Sequence, residues 1–173
     1  MMRQFDTTRS DKTTKDFLAK DVSFKRKVLT FGREFSAAPH VVFKQLCPSR
    51  EADWINGWTV ELIYSETGYA EPLCIFRTPK SNSLGAGLWI LTRVEPNKIV
   101  EATMFREEDE VLEHMKPELM DLGDRCQVTW TIAMTALSEK GNSVVEMVSD
   151  ETPDFVEELE YFLTQGKLKP LAV

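Results

Sequence analysis

The chain is poor in the side chains that build metal and redox sites. It has two histidines, His40 and His114, and three cysteines, Cys47, Cys74 and Cys126. There is no CxxC pair and no His, Cys and carboxylate cluster at ligand spacing, so no metal is expected. Three distant cysteines build no disulfide framework and read as small buried apolar groups in a reducing compartment. No apolar run exceeds a few residues, far below the roughly 20 that cross a bilayer. Residues 1–20 hold no apolar stretch of signal-peptide length. The expectation is a cytoplasmic protein with no stable membrane insertion. Positive charge is also in deficit, with 21 Lys and Arg against 28 Asp and Glu and a net charge of -7. Such a surface repels phosphate backbones and argues against nucleic acid as a partner.

The 173 residues, 42% of them hydrophobic, suit one globular domain with a real core. Residues 1–21 read as an N-terminal arm and 22–173 as the domain. Val22 to Phe35 alternates as a long first strand. Ser36 is placed to cap a helix with an early proline, Pro39, and an apolar stripe of Val42, Phe43 and Leu46. Pro48 stops it, and Ser49 can cap a second short helix through Ile55. Strands are then expected over 59–64, 73–78, 86–95 and 99–105. Glu110 to Met120 is ambiguous because of Pro117, with a strand favoured. Arg125 to Leu137 is the clearest strand, with Cys126, Val128, Trp130, Ile132, Met134 and Ala136 on one face. Asn142 to Ser149 favours helix. A terminal helix follows, with Thr152 as cap, Pro153 at its first position, an apolar stripe of Phe155, Val156, Leu159, Phe162 and Leu163, and Gly166 at its end. The first strand, the six that follow and one amphipathic helix pack most simply as a curved antiparallel sheet wrapped around the helix, which leaves a gap between them.

The element order and several short matches resemble the START-like, or SRPBCC, superfamily with its α+β helix-grip fold, shared with birch-pollen-type allergens. The matches include Cys47-Pro48, Arg50-Glu51, Trp54-Ile55, Gly57-Trp58, Gly68-Tyr69-Ala70-Glu71, Val128-Thr129-Trp130 and Gly166-Lys167. Bacterial proteins labelled polyketide cyclase/dehydrase are the narrower likeness. The resemblance covers about residues 22–168. It implies a curved antiparallel sheet around a long C-terminal helix, with two short helices after the first strand. It also implies a cavity that takes an apolar small molecule, without supplying a catalytic motif.

The stretch 46–58 puts two tryptophans, an arginine and two carboxylates just before a strand. Arg50 either grips a ligand oxygen through its planar fork or pairs with Asp53 three residues on. Trp54, Trp58, Trp89 and Trp130 line a cavity or fill the core, with Trp130 the first choice for the cavity. Phe155 and Leu159 face it from the terminal helix. Tyr64, Tyr69 and Glu71 are either an acid/base set for cyclisation or the outside of a hairpin. Gly85-Ala86-Gly87 reads as a bend and Glu107 to Glu110 as a solvated loop, so no cofactor is expected. Three functions remain open. One is a carrier or sensor of a hydrophobic lipid-, polyketide- or aromatic-like molecule. Another is a cyclase, aromatase or dehydratase using Arg50, Tyr64, Tyr69 and Glu71. The third is a module for a protein partner. A monomer and a homodimer are both compatible with the sequence.

Overall fold

A computed structural model describes residues 24–82 and 84–171. The expected arm at 1–21, and Val22 and Ser23 of the expected first strand, lie outside the described residues. The strands are β1 (Arg26–Phe35), β2 (Glu61–Tyr64), β3 (Ile75–Thr78), β4 (Gly87–Glu95), β5 (Ile99–Arg106), β6 (Val111–Asp121) and β7 (Cys126–Ala136). They form one antiparallel sheet in the order β1-β7-β6-β5-β4-β3-β2. Helix α1 (Pro39–Gln45) and a single tight turn at Glu51–Asp53 lie between β1 and β2. Helices α2 (Glu139–Met147) and α3 (Phe155–Gln165) follow β7. Among the described residues no helix is long and apolar enough to cross a membrane.

Alternation produces β7 as the sequence predicts. Cys126, Val128, Trp130, Ile132, Met134 and Ala136 are buried, and Gln127, Thr129, Thr131 and Thr135 are half-buried on the other face. Strand β1, at the sheet edge, pairs with it along its whole length, from Arg26 opposite Thr135 to Phe35 opposite Cys126. Pro117 does sit in a strand, β6, inside the sheet. It has no N–H to donate, and pairing to β5 lapses between Ile99 opposite Glu118 and Ala102 opposite Met115, then resumes in the same register. Its other side stays paired, opposite Trp130. The sheet curves, helped by irregularities between Leu91 and Arg93 and between Leu62 and Tyr64.

The helix starts differ from the expected ones. Ala38, not Ser36, precedes α1, and its extended backbone offers no side-chain cap. Arg50, not Ser49, precedes the tight turn, which ends at Asp53 rather than Ile55. Asp154, not Thr152, precedes α3, so Pro153 stands outside the helix, where its carbonyl accepts from the Val156 N–H at 3.1 Å. In all three cases the competing feature is a neighbouring proline, or a short local turn that satisfies the first N–H groups without a hydroxyl. Helix α2 starts three residues before the expected Asn142, because Ser138 caps it through the Gly141 N–H at 3.2 Å. A side chain at Gly141 would meet the Glu110 carbonyl at 2.4 Å, so only glycine lets α2 sit this close to the β5–β6 turn. Gly166 ends α3 as expected, with φ of 67° and its N–H on the Phe162 carbonyl at 2.8 Å.

The main core joins Phe35, Val42, Leu46 and the four tryptophans with Phe155, Val156 and Leu159 of α3. A smaller one seats Val145 of α2 on Val111, Ile132, Met134 and Ala136. Leu159 is fully buried, so Leu159→Ala should cost ~2–5 kcal/mol. Helix α3 is also tied down at its rim. Asn56 Nδ2 donates to Glu158 at 2.8 Å and to the Lys169 carbonyl at 2.9 Å, and Arg33 pairs with Glu160.

Candidate functional site

The stretch between α1 and β2 is two tight turns in succession. The N–H groups of Arg50 and Glu51 both donate to the Cys47 carbonyl, at 2.7 and 3.1 Å. Those of Trp54 and Ile55 both donate to the Glu51 carbonyl, at 3.1 and 2.8 Å. So tight a coil eclipses residues three apart. Arg50 and Asp53 therefore meet on one side, at 2.9 Å, half-exposed. Glu51, Trp54 and Ile55 turn the other way, into a cavity beneath α3.

That cavity lies between two aromatic clusters. In one, Trp130 stacks on Phe31 at 5.7 Å and meets Phe155 edge-on at 5.9 Å. In the other, Trp89 stacks on Phe76 at 5.5 Å and meets Trp58 edge-on at 6.4 Å. Leu91, Val100, Ala102 and Met115 of the sheet close the space between them. Three indole N–H groups are already committed: Trp54 to the Gln45 carbonyl at 2.8 Å, Trp58 to the Pro48 carbonyl at 2.8 Å and Trp89 to the Thr78 hydroxyl at 3.1 Å. These three rings therefore offer the cavity carbon surface only. The indole N–H of Trp130 has no such partner among the described residues.

The open space is about 50 Å³. An apolar cavity of about 150 Å³ takes up benzene, so a ring enters here only if walls move. A second cleft of about 380 Å³ offers the room. It lies between the β3–β4 loop and the α2–α3 loop, and shares Leu84, Met115 and Phe155 with the cavity. At its rim Arg106 pairs with Asp109 at 2.7 Å and with Glu113 at 3.5 Å. Burial pushes the Glu113 carboxyl above its ordinary range, while Arg106 opposes that shift.

Glu51 is the titratable side chain among the cavity walls. No cation or hydrogen-bond donor meets its carboxyl among the described residues. Burial alone pushes its pKa up to about 8, so it holds its proton at neutral pH. Glu51 is one of the two carboxylates of the stretch 46–58, and its sequence alone does not place it in the cavity. The signal that could have found it is the turn geometry, which separates it from Arg50 and Asp53.

The structure divides the candidate residues into two sets. Trp54, Trp58, Trp89, Trp130 and Phe155 line the cavity. Leu159 is fully buried beside them in the core, without lining it. Arg50, Tyr64, Tyr69 and Glu71 lie outside. Arg50 and Tyr69 share an outer cleft with Phe43, Lys44 and Cys47. Tyr64 is exposed, and its hydroxyl donates to Glu66 at 3.2 Å. Glu71 folds the β2–β3 loop around its own carboxylate. It accepts from the Ser65 hydroxyl at 2.7 Å, from the Thr67 N–H at 3.2 Å and from the Glu66 N–H. These bonds, the one from Ser65 foremost, pull its pKa down to about 2. The three cysteines are buried free thiols, and burial pushes Cys126 up to about 11. Gly85 (φ 84°) and Gly87 form the bend into β4. The acidic run Glu107 to Glu110 is the turn between β5 and β6.

No protein-family profile matches the chain, and no curated protein matches it by sequence. Solved structures do match by shape. Norcoclaurine synthase from Thalictrum flavum, in complex with dopamine and hydroxybenzaldehyde, superposes with a TM-score of 0.62 at 13% identity, covering 97% of this chain and 100% of that one. A protein from Mesorhizobium loti gives 0.61 at 16% identity, over 82% of this chain and 100% of that one. DynU16, a protein of the dynemicin biosynthetic locus, gives 0.58 at 15% identity, over 81% of this chain and 48% of that longer one. With its seven-stranded antiparallel sheet closed by α3, the chain has the α+β helix-grip fold of the Bet v 1-like, or SRPBCC, structures.

Proposed function

We propose that the protein binds a small, largely apolar, ring-containing molecule under α3, as a carrier or sensor. The supporting observation is the cavity itself. Its walls are aromatic and aliphatic side chains with one carboxyl, and three of its four indole N–H groups are already satisfied within the protein. Apolar walls with a few polar groups are the usual make-up of a small-molecule site. Room for the ligand comes from displacing Leu84, Met115 or Phe155 toward the second cleft, whose volume is in the range of small-molecule pockets. The fold neighbour that holds dopamine and hydroxybenzaldehyde supports an oxygenated aromatic over a long acyl chain. Titration with indane, followed by tryptophan fluorescence, tests the reading. Saturable quenching at one site per chain is expected, and a flat or non-saturating response overturns it.

One observation favours a second reading, an enzyme of the cyclase or aromatase class. Glu51 faces the cavity with a pKa matched to proton transfer near neutral pH. The set expected for that chemistry, Arg50, Tyr64, Tyr69 and Glu71, lies outside, so Glu51 would act in its place. Exchange of the α-protons of 1-indanone in heavy water tests it. Protein-dependent exchange lost in Glu51→Gln supports the enzyme, and exchange at the buffer rate removes it.

A further inference from the structure

We propose that Glu51 selects the ligand, by donating a hydrogen bond to a carbonyl-type oxygen on an otherwise apolar ring. The inference rests on the binding reading above and adds the chemical class of the ligand. Its basis is what the cavity can and cannot offer. The wall residues from α3 (Phe155), β3 (Phe76), β4 (Trp89, Leu91), β5 (Val100, Ala102), β6 (Met115, Pro117) and β7 (Trp130) bring no ionisable group. The neighbouring charges, Arg50 and Asp53, are turned outward and paired with each other. Glu51 therefore meets no cation, and burial keeps its carboxyl neutral at pH 7. A neutral carboxyl donates one O–H. A single donor in an apolar box matches an acceptor oxygen. An anionic ligand would find no countercharge there, and a plain hydrocarbon would leave the carboxyl unsatisfied.

The pair 1-indanone and indane tests this, since the two share a ring system and differ by one carbonyl oxygen. Tryptophan quenching at pH 6.5 should show 1-indanone binding about tenfold tighter than indane, the worth of one hydrogen bond in an apolar site. The preference should shrink above pH 8.5, where Glu51 ionises, while indane binding stays level across that range. Glu51→Leu should erase the preference, so that the two probes bind alike. Glu51→Gln, which retains an N–H donor and nearly the same shape, should keep the preference and lose its pH dependence. Equal binding of the two probes by the wild type, or a preference that survives in Glu51→Leu, overturns the role of Glu51 and leaves the cavity reading intact. Failure of indane to bind overturns the cavity reading, and this inference with it.

Discussion

Glu51 ties stability to pH with a definite sign. In the folded chain its carboxyl keeps its proton up to about pH 8, while unfolded it releases it near 4.5. Between those values the folded state binds more protons, so rising pH drains stability, and the loss is complete above pH 8. Glu51→Gln removes that penalty. Melting curves should show the variant more stable than wild type at pH 8.5 by on the order of 2 kcal/mol, less than the full shift because Glu51 is only half-buried, and little changed at pH 4. An equal difference at both pH values would contradict the burial. Gln45 is a second residue with a local cost. It is buried, and its Oε1 has no partner. Gln45→Met fills the same space without that atom and should be neutral or stabilising by up to ~1 kcal/mol in chemical denaturation. The arginine and two carboxylates of 46–58 are visible in the sequence, but their orientation is not. Arg50 and Asp53 pair because three residues span one turn of a 3-10 coil, and the same turn sends Glu51 inward. Arg50→Ala should therefore change stability by less than ~1 kcal/mol and leave indane binding untouched, as expected of an exposed pair.

Strands were legible element by element because their period-two burial is written directly into the residues, as β7 shows. Pro117 did not break β6, because the lost pairing is confined to the side facing β5 while β7 holds the other. Helix starts were less legible. Ser36 and Thr152 have the right chemistry for caps, but Pro39 and Pro153 fix where the backbone can turn, and both helices begin without a side-chain cap. The β2–β3 loop carries the second pH-sensitive element. Tyr64, Tyr69 and Glu71 read either as an acid/base set or as the outside of a hairpin, and Glu71 serves as an acceptor for the Ser65 hydroxyl and loop N–H groups. Its pKa is lowered in the folded state, so its contribution is present above about pH 4.5 and fades as pH falls toward 2. Glu71→Ala should speed amide exchange at Thr67 at pH 7 and lose that effect near pH 2. Unchanged exchange at pH 7 would mean the carboxylate does not order the loop.

At the scale of the molecule, the sheet-and-helix plan and the gap beneath α3 followed from the element order. The size of the gap did not. A void of about 50 Å³ is what remains after sixteen side chains fit together, and no single residue encodes it. Filling it is the direct test of its cost. Ala102 is buried at the cavity wall, and Ala102→Val should raise stability by ~0.5–2 kcal/mol if the new methyls enter the void. The same change should weaken indane binding. A destabilised variant would show that the wall does not yield.

The proposed seat of the apolar ring is the cavity under α3, and not the outer cleft beside Arg50 and Tyr69. Methyl NMR shifts during titration with indane address it most directly. Saturable shifts are expected at Leu91, Val100, Ala102 and Met115, with the methyl of Ala70 in the outer cleft unmoved. Shifts confined to Ala70, or none at any of these methyls, would contradict it.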